Sequence, residues 1–167
     1  MRKRIISSVS QHPQATAKDW LDLERLAQVE VTSEDSAHPV EAALAPGGTA
    51  SGWRAAEPGA QTLRLLFDVP QGLGHVQLEF TEPDTERTQE FVLRYSTSGE
   101  AAFREILRQQ WTFSPQGATS ELEDYQLELP AVTALELVII PDISGGPARA
   151  SLTALRLSGL RKAVAHP

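Results

Sequence analysis

The sequence contains no cysteine among its 167 residues. This absence excludes disulfide bonds, thiolate zinc sites and thiol nucleophiles. Long apolar runs are missing as well. The longest, Leu137–Ile140, ends at a proline and is far shorter than the roughly 20 residues of a membrane-spanning helix. A chain of this length can bury its own core without cross-links, so we expect a single domain.

Sequence motifs typical of enzymes are also missing. There is no nucleophile elbow, phosphate-binding loop, dinucleotide fingerprint or two-histidine zinc motif, and the four histidines are far apart. We therefore expect a protein that is not an enzyme and carries no organic cofactor. The basic start, Met1–Arg4, is similar to that of a signal peptide, but serines interrupt the apolar residues that follow it. We predict a soluble, cytoplasmic protein.

Basic residues are too few to balance the acidic ones. The chain has 15 Lys and Arg residues against 22 Asp and Glu residues, which leaves a net charge of −7. Proteins that bind nucleic acid usually present a basic face, and a net negative charge repels phosphates. We therefore expect no binding to intact duplex DNA and no membrane association, and we attribute the acidity to solubility.

Apolar residues recur at every second position along much of the chain, with polar residues between them. This period is typical of antiparallel strands that have one buried and one solvated face. The alternating apolar sets are Val29 and Val31; Leu63, Leu65 and Phe67; Val76, Leu78 and Phe80; Phe91, Leu93 and Tyr95; Tyr125, Leu127 and Leu129; Leu135, Leu137 and Ile139; and Leu155 and Leu157. The pattern predicts an all-β fold, an antiparallel jelly-roll β-sandwich.

Helices are expected in two places only. The helical spacing of Trp20, Leu23 and Leu26 predicts a short N-terminal helix over residues 17–27. A further helical turn is expected at residues 39–44, after a proline.

The remaining segments define the limits of the domain. Residues 103–111 fit a helix and a strand about equally well, and we assign them to a strand. The stretch Ala45–Gly59, rich in glycine, alanine and proline, indicates a long loop. We expect a flexible arm at residues 1–16, the sandwich at residues 17–160 and a tail at residues 161–167.

The segment Ser33–Glu41 concentrates side chains that are suited to chemistry. Asp35, His38 and Glu41 recur every three residues, and on a helical turn they could share one face and hold a metal. Calcium would suit them better than zinc, because the segment offers several oxygens but one imidazole. The alternative is structural: Pro39 would begin a helical turn, and Glu41 near its third position would meet free N–H groups.

Two aromatic segments are candidates for ligand binding. Trp53 follows a glycine and precedes Arg54. Trp53 would either close the core or stack on a ligand, whereas Arg54 could reach a carboxylate, a phosphate or a sugar hydroxyl. In the second segment, Gln109, Gln110 and Trp111 place amides beside an aromatic ring. That combination can bond the hydroxyls of a sugar while stacking on its apolar face, or it can be an amphipathic strand with an aromatic core face.

Asp142 and Ser144 lie in Pro141–Gly146, a predicted loop that follows an apolar strand. Loops on rigid scaffolds often carry binding residues. The two side chains could contact a ligand or could bond only their own turn. Asp142 is also a candidate, like Asp35 and Glu41, for a calcium ion that would be structural rather than catalytic.

The order of these pieces resembles the galactose-binding-like superfamily, whose members are also known as discoidin or coagulation factor 5/8 type C domains. The resemblance rests on Ser33-Glu34-Asp35, Glu41-Ala42-Ala43-Leu44, Ser51-Gly52-Trp53, Phe91-Val92-Leu93-Arg94-Tyr95-Ser96 and Ser98-Gly99-Glu100. It implies a jelly-roll sandwich over about residues 20–158. The whole chain is also similar to small bacterial proteins that carry a generic carbohydrate-binding label.

A more local similarity, over residues 29–67, is to the N-terminal domain of the X-ray repair cross-complementing scaffold proteins of single-strand-break repair. The matching residues are Ser33, Asp35, Ser36, His38, Glu41, Leu44, Trp53-Arg54-Ala55-Ala56, Gly59 and Thr62. This resemblance implies a sandwich used for contacts with proteins or nicked DNA. The chain departs from that pattern in its acidity and in its second half.

These observations predict a noncatalytic module that binds a carbohydrate through end loops of the sandwich. The alternative is a protein–protein interaction module in a DNA-repair or stress assembly. A fold by itself does not decide between them, because the same sandwich carries many binding functions.

The resemblance also implies where the ligand would bind. In the superfamily's topology, the loops that correspond to Ser33–His38, Trp53–Arg54 and Asp142–Gly146 gather at one end of the sandwich. Arg54 would be the main polar anchor, because its planar donors suit vicinal oxygens or a carboxylate. If Asp35 neutralises Arg54, the arginine would instead be structural.

Overall fold

A computed structural model describes residues 20–45 and 52–160. Its elements, in chain order, are α1 Leu23–Leu26, β1 Ala27–Val31, α2 Glu41–Leu44, β2 Trp53–Pro58, β3 Gln61–Thr81, β4 Arg87–Ser96, β5 Arg104–Phe113, β6 Ser120–Ile140, β7 Arg149–Leu152 and β8 Ala154–Gly159. The predicted arm at residues 1–16 and tail at residues 161–167 lie outside the described residues. Neither described helix is long and apolar enough to cross a membrane.

Two long strands join the layers of the sandwich. β3 and β6 are each 21 residues long and pair antiparallel along most of their length. The first half of β3 and the second half of β6 lie in a front layer with the strand order β1-β3-β6-β4-β5. Their other halves form a back layer with β8. The register between β3 and β6 shifts between Leu66 and His75, where β3 passes from one layer to the other.

The core lies between the two layers. The rings of Phe80, from the back layer, and Phe91, from the front layer, have centroids 5.2 Å apart. Of the residues that the period-two pattern predicts to face inward, the buried ones are Leu63, Leu65, Phe67, Val76, Leu78, Phe80, Phe91, Leu93, Leu127, Leu135, Leu137, Ile139, Leu155 and Leu157. The predicted sandwich is therefore confirmed, and its alternation follows from the burial of one face of each strand.

β2 and β7 form a separate antiparallel pair. The loop predicted for Ala45–Gly59 was wrong in its second half, because β2 occupies Trp53–Pro58 and buries Trp53 and Ala55. Gly52 begins this segment with φ +58°, and a Cβ there would lie 2.4 Å from the backbone oxygen of Leu152. Glycine is needed at that position, since it alone allows β2 to approach β7 so closely.

The N-terminal helix is shorter than predicted. The predicted helix over residues 17–27 is a single turn, Leu23–Leu26, and residues 17–19 lie outside the described part of the chain. Trp20 forms an antiparallel bridge with Ser158, and Ala27 already belongs to β1. Pairing with the sheet therefore overrides the helical spacing. The segment assigned to a strand at residues 103–111 is confirmed by β5, which begins at Arg104.

Candidate functional site

The structure brings the Ser33–His38 and Trp53–Arg54 segments together at one end of β2. The backbone N–H of Asp35 donates to the carbonyl of Arg54 at 2.8 Å, and the N–H of Arg54 donates to the carbonyl of His38 at 3.2 Å. Asp35 and His38 also form an antiparallel bridge with each other. These backbone contacts hold three of the candidate ligand-binding residues in one cluster.

The side chains of this cluster are not paired with one another. Arg54 is exposed, and its guanidinium makes no hydrogen bond or ion pair within the described residues. Asp35 instead accepts the N–H of Ala37 through Oδ1 at 2.9 Å. Nδ1 of His38 is buried without a hydrogen-bond partner. Arg54 is therefore not neutralised by Asp35 and is open to a ligand.

Trp53, the fourth candidate at this end of the sandwich, belongs to the core. The residue is 1% exposed, and its Nε1 donates to the carbonyl of Ser33 at 3.1 Å. A buried ring with its donor satisfied has no face left for a ligand. The structure corrects the assignment of Trp53 as a ligand-binding residue: its role is to anchor the Ser33 loop to β2.

The loop that carries Asp142 and Ser144 lies at the opposite end of β2. Gly59, beyond the last residue of β2, donates to the carbonyl of Ala148 at 3.3 Å. Gly59 lines a groove of about 270 Å³ together with Asp142, Ile143, Gly145 and Gly146, whereas Ser144 does not line it. Oδ1 of Asp142 accepts the N–H of Ser144 at 2.9 Å, so both residues bond their own turn. The expected meeting of three loops is thus wrong for the Asp142 loop, because the β2–β7 pairing separates it from Arg54.

The proposed calcium ligands do not converge in the described residues. No group of three or more His, Asp or Glu side chains there could hold a metal ion. Glu41 is the first residue of α2 rather than its third, and the N-cap residue of α2, Val40, has no side chain that could cap the helix. Glu34 takes the expected role, since its Oε1 accepts the N–H of Val40 at 2.6 Å. A structural calcium ion stays a prediction.

A second cluster of polar side chains lies at the lateral edge of the sandwich, where β5 of the front layer faces the first half of β6. We call it the lateral seam. It consists of Gln89, Gln109, Trp111, Glu121, Glu123 and Tyr125. The β4–β5 register pairs Gln89 with Trp111, and strand alternation places Gln109 on the same face as Trp111.

Hydrogen bonds join the two layers across the seam. Nε2 of Gln109 donates to the hydroxyl of Tyr125 at 2.8 Å, and that hydroxyl donates to Oε1 of Glu123 at 3.1 Å. Deeper in, Nε2 of Gln89 donates to Oε1 of Glu121 at 3.3 Å. The side chains on both edges are therefore held in place by partners on rigid strands.

Glu121 is a buried carboxyl group. The residue is 1% exposed, and no donor within the described residues forms a hydrogen bond to its Oε2. Burial, followed by the hydrogen bond and charge of Glu123, raises the pKa of Glu121 to about 8. Burial likewise raises the pKa of Tyr125. At neutral pH, Glu121 therefore holds a proton.

Trp111 closes the outer side of the seam. It is 37% exposed and is the only aromatic residue among the large exposed apolar residues of the described chain. β5 is the last strand of the front layer, so one flank of Trp111 faces solvent. Gln110 points to the opposite face of β5, and the predicted trio of Gln109, Gln110 and Trp111 is therefore divided between two surfaces.

Sequence reasoning missed the acidic side of the seam. Tyr125 was predicted as a core residue, and Glu121 and Glu123 lie four and two positions before it, respectively. The same period of two places all three side chains on the inward face. The signal in the sequence was that Glu121 and Glu123 continue the alternating positions of the apolar residues. Acidic residues at such inward positions indicate a polar partner, because they are rarely buried without one.

Neither a family profile nor a curated protein sequence matches this chain. Solved structures do match it. A family 32 carbohydrate-binding module from C. perfringens NanJ, in complex with galactose, has a TM-score of 0.62 at 11% identity, covering 83% of this chain and 97% of that module. A module of a family 31 glycoside hydrolase from Clostridium perfringens has a TM-score of 0.63 at 15% identity, covering 89% and 100%. Reduced XRCC1 bound to the DNA polymerase β catalytic domain has a TM-score of 0.59 at 16% identity, covering 81% and 97%.

These likenesses define the class of protein by its fold. The chain has the galactose-binding-like jelly-roll fold, as the sequence predicted, and the resemblance to both the carbohydrate-binding modules and the XRCC1 domain is confirmed at that level. At identities of this size the fold is shared, whereas ligands and partners are properties of each protein.

Proposed function

We propose that this chain is a noncatalytic carbohydrate-binding module. The observation that carries the proposal is Trp111, a half-exposed indole on a rigid edge strand with the amide of Gln109 beside it. An indole offers an apolar face to a pyranose ring, and neighbouring amides and carboxylates accept hydrogen bonds from the hydroxyls of the sugar. The fold shared with saccharide-bound modules supports the same function.

A glycan array with the full chain tests this function directly. We expect weak, reproducible binding to a defined group of glycans, and Trp111→Ala should abolish it while the chain remains folded. Arg54→Ala, measured beside it, tests whether the loop cluster at the end of β2 contributes. If the parent protein binds no glycan while folded, carbohydrate binding is the wrong function.

A protein-interaction module is the second candidate, and the groove beside Asp142–Gly146 favours it. The groove is lined mainly by backbone and apolar groups, and Ile143 on its rim is 48% exposed. An exposed apolar side chain next to a concavity is typical of a protein contact. Pulldowns with the parent chain and with Ile143→Asp, each repeated on the glycan array, separate this function from the first, since the substitution leaves the side chains of Trp111 and Gln109 in place.

A further inference from the structure

We propose that the lateral seam binds neutral saccharides and discriminates against acidic ones. The inference rests on the proposed function and specifies its ligand class. It starts from the groups that the seam leaves free for a ligand, which are hydrogen-bond acceptors and an aromatic face.

The first free acceptor is the side-chain oxygen of Gln109. Its amide nitrogen is committed to Tyr125, whose hydroxyl is in turn committed to Glu123. Oε1 of Gln109 has no hydrogen-bond partner among the described residues, and it is not one of the buried unpartnered atoms. A sugar hydroxyl can donate to such an oxygen, whereas a ligand carboxylate would bring a second acceptor against it.

The charge of the seam also disfavours acidic sugars. Glu123 is partly exposed, and its neighbour Tyr125 is partly buried and is not a cation. Glu123 is thus an acidic side chain beside the proposed sugar-binding groups, and its hydrogen-bond partner there, Tyr125, is bonded in turn to the neutral amide of Gln109. A uronate at that position would meet a like charge in a partly desolvated environment, where repulsion is stronger than in bulk water.

Arg87 and Arg108, which lie near the seam, both pair with acidic side chains outside it. Arg87 lies nearest and donates to Gln89 of the seam at 3.4 Å, but its side chain is 1% exposed, and its shorter hydrogen bonds go to Glu82 at 2.8 Å and to the carbonyl of Pro141 at 2.6 Å. Arg108 points to the opposite face of β5, where it pairs with Glu90 and Glu105. Arg54 is unpaired, but it belongs to the loop cluster at the end of β2.

Matched sugars provide the sharpest test. Galactose, glucose and mannose each differ from their uronic acids only at C6, so each pair isolates the effect of the carboxylate. Titration of the ¹⁵N-labelled full chain follows the side-chain signals of Trp111 and Gln109, which the variants Trp111→Phe and Gln109→Ala identify. We expect at least one neutral sugar to shift these signals and its uronate to bind about tenfold more weakly, as like-charge placement predicts.

Two variants test why uronates would bind more weakly and which face of β5 binds the sugar. Glu123→Gln keeps the shape of the side chain and removes its charge, so we expect the gap between neutral and acidic sugars to fall to about threefold or less. Gln110→Ala is the matched control for Gln109→Ala, because it removes the neighbouring amide on the other face of β5. Gln109→Ala should weaken binding of the neutral sugar, and Gln110→Ala should leave it unchanged.

The outcomes separate the two proposals. Binding of none of the six sugars, with no hit on the glycan array, overturns the carbohydrate function and this inference together. Equal or tighter binding of uronates, or binding that shifts Arg54 and leaves Trp111 unmoved, overturns the inference and leaves the function standing. If the difference in affinity between neutral sugars and uronates is unchanged in Glu123→Gln, the charge of Glu123 is not its cause.

Discussion

Trp53 and Trp111 have the same side chain and opposite surroundings. Trp53 is 1% exposed with its indole N–H bonded to Ser33, whereas Trp111 is 37% exposed at the sandwich edge. Loss of the first ring would leave a cavity under the Ser33 loop, while loss of the second would remove a surface platform. Residue type alone therefore does not assign a tryptophan to the core or to a ligand.

Glu121 makes the stability of the fold depend on pH. Its pKa is raised from an ordinary value of 4.5 to about 8, so between these pH values the folded chain holds a proton that the unfolded chain has released. The stabilising effect of this proton is complete below the unfolded pKa and is lost as the pH rises through the folded pKa. The slope is at most about 1.4 kcal/mol per pH unit for one proton.

Urea unfolding between about pH 5 and about pH 9 measures this slope. Glu121→Gln, which cannot ionise, should flatten the decline seen in the parent chain. Glu128→Gln, at an exposed position on the same strand, is the control and should follow the parent. Parallel curves for the parent and Glu121→Gln would show that the buried carboxyl group is already ionised in the folded protein.

At the scale of the strands, a row of alternating charges crosses the whole front layer. Strand register aligns Glu30, Arg64, Glu136, Arg94 and Glu105 on five neighbouring strands. Arg64 contacts Glu136 at 2.6 Å and Glu30 at 3.4 Å, and Nε of Arg94 lies 3.3 Å from Glu136. The hydrogen bond and charge of Glu136 raise the pKa of Arg64. Opposite charges placed directly across from each other favour this register over a slipped one.

The centre of this row should contribute more to the stability of the fold than its end. Glu136 is 6% exposed between two arginines, so Glu136→Gln should cost about 2 kcal/mol, because it leaves their charges poorly compensated. Glu105→Gln, at the exposed end, should change stability by less than about 0.5 kcal/mol. Chemical unfolding of both variants checks the difference. Equal effects would mean that the row is a solvated surface rather than a register device.

At the scale of the whole molecule, the net charge of −7 governs long-range encounters. Few phosphates could be neutralised, so counterion release would contribute little to DNA binding. We expect no anisotropy change for a labelled intact duplex in about 0.15 M salt. Submicromolar binding with a steep salt dependence would contradict this and would point to a concentrated basic segment such as Met1–Arg4.

Periodicity made much of the fold predictable. Alternating apolar residues indicated most strands of the two layers, because burying one face of a strand imposes a period of two on its sequence. The pattern did not reveal β2 and β7, because each strand buries only one large apolar side chain, Trp53 or Leu152, next to an alanine. It also overestimated the N-terminal helix, where the bridge between Trp20 and Ser158 joins residues far apart in the chain.

The candidate sites were likewise predictable from the sequence only in part. The sequence by itself determined which side chains were available, including Trp111 near Gln109 and Arg54 next to Trp53. Only the tertiary structure decided which of them meet. Pairing of β2 with β7 placed the Asp142 loop away from Arg54. Packing of the two layers brought Glu121 to Gln89 on β4 and Tyr125 to Gln109 on β5. Contacts between residues distant in sequence depend on layer packing, which local periodicity does not encode.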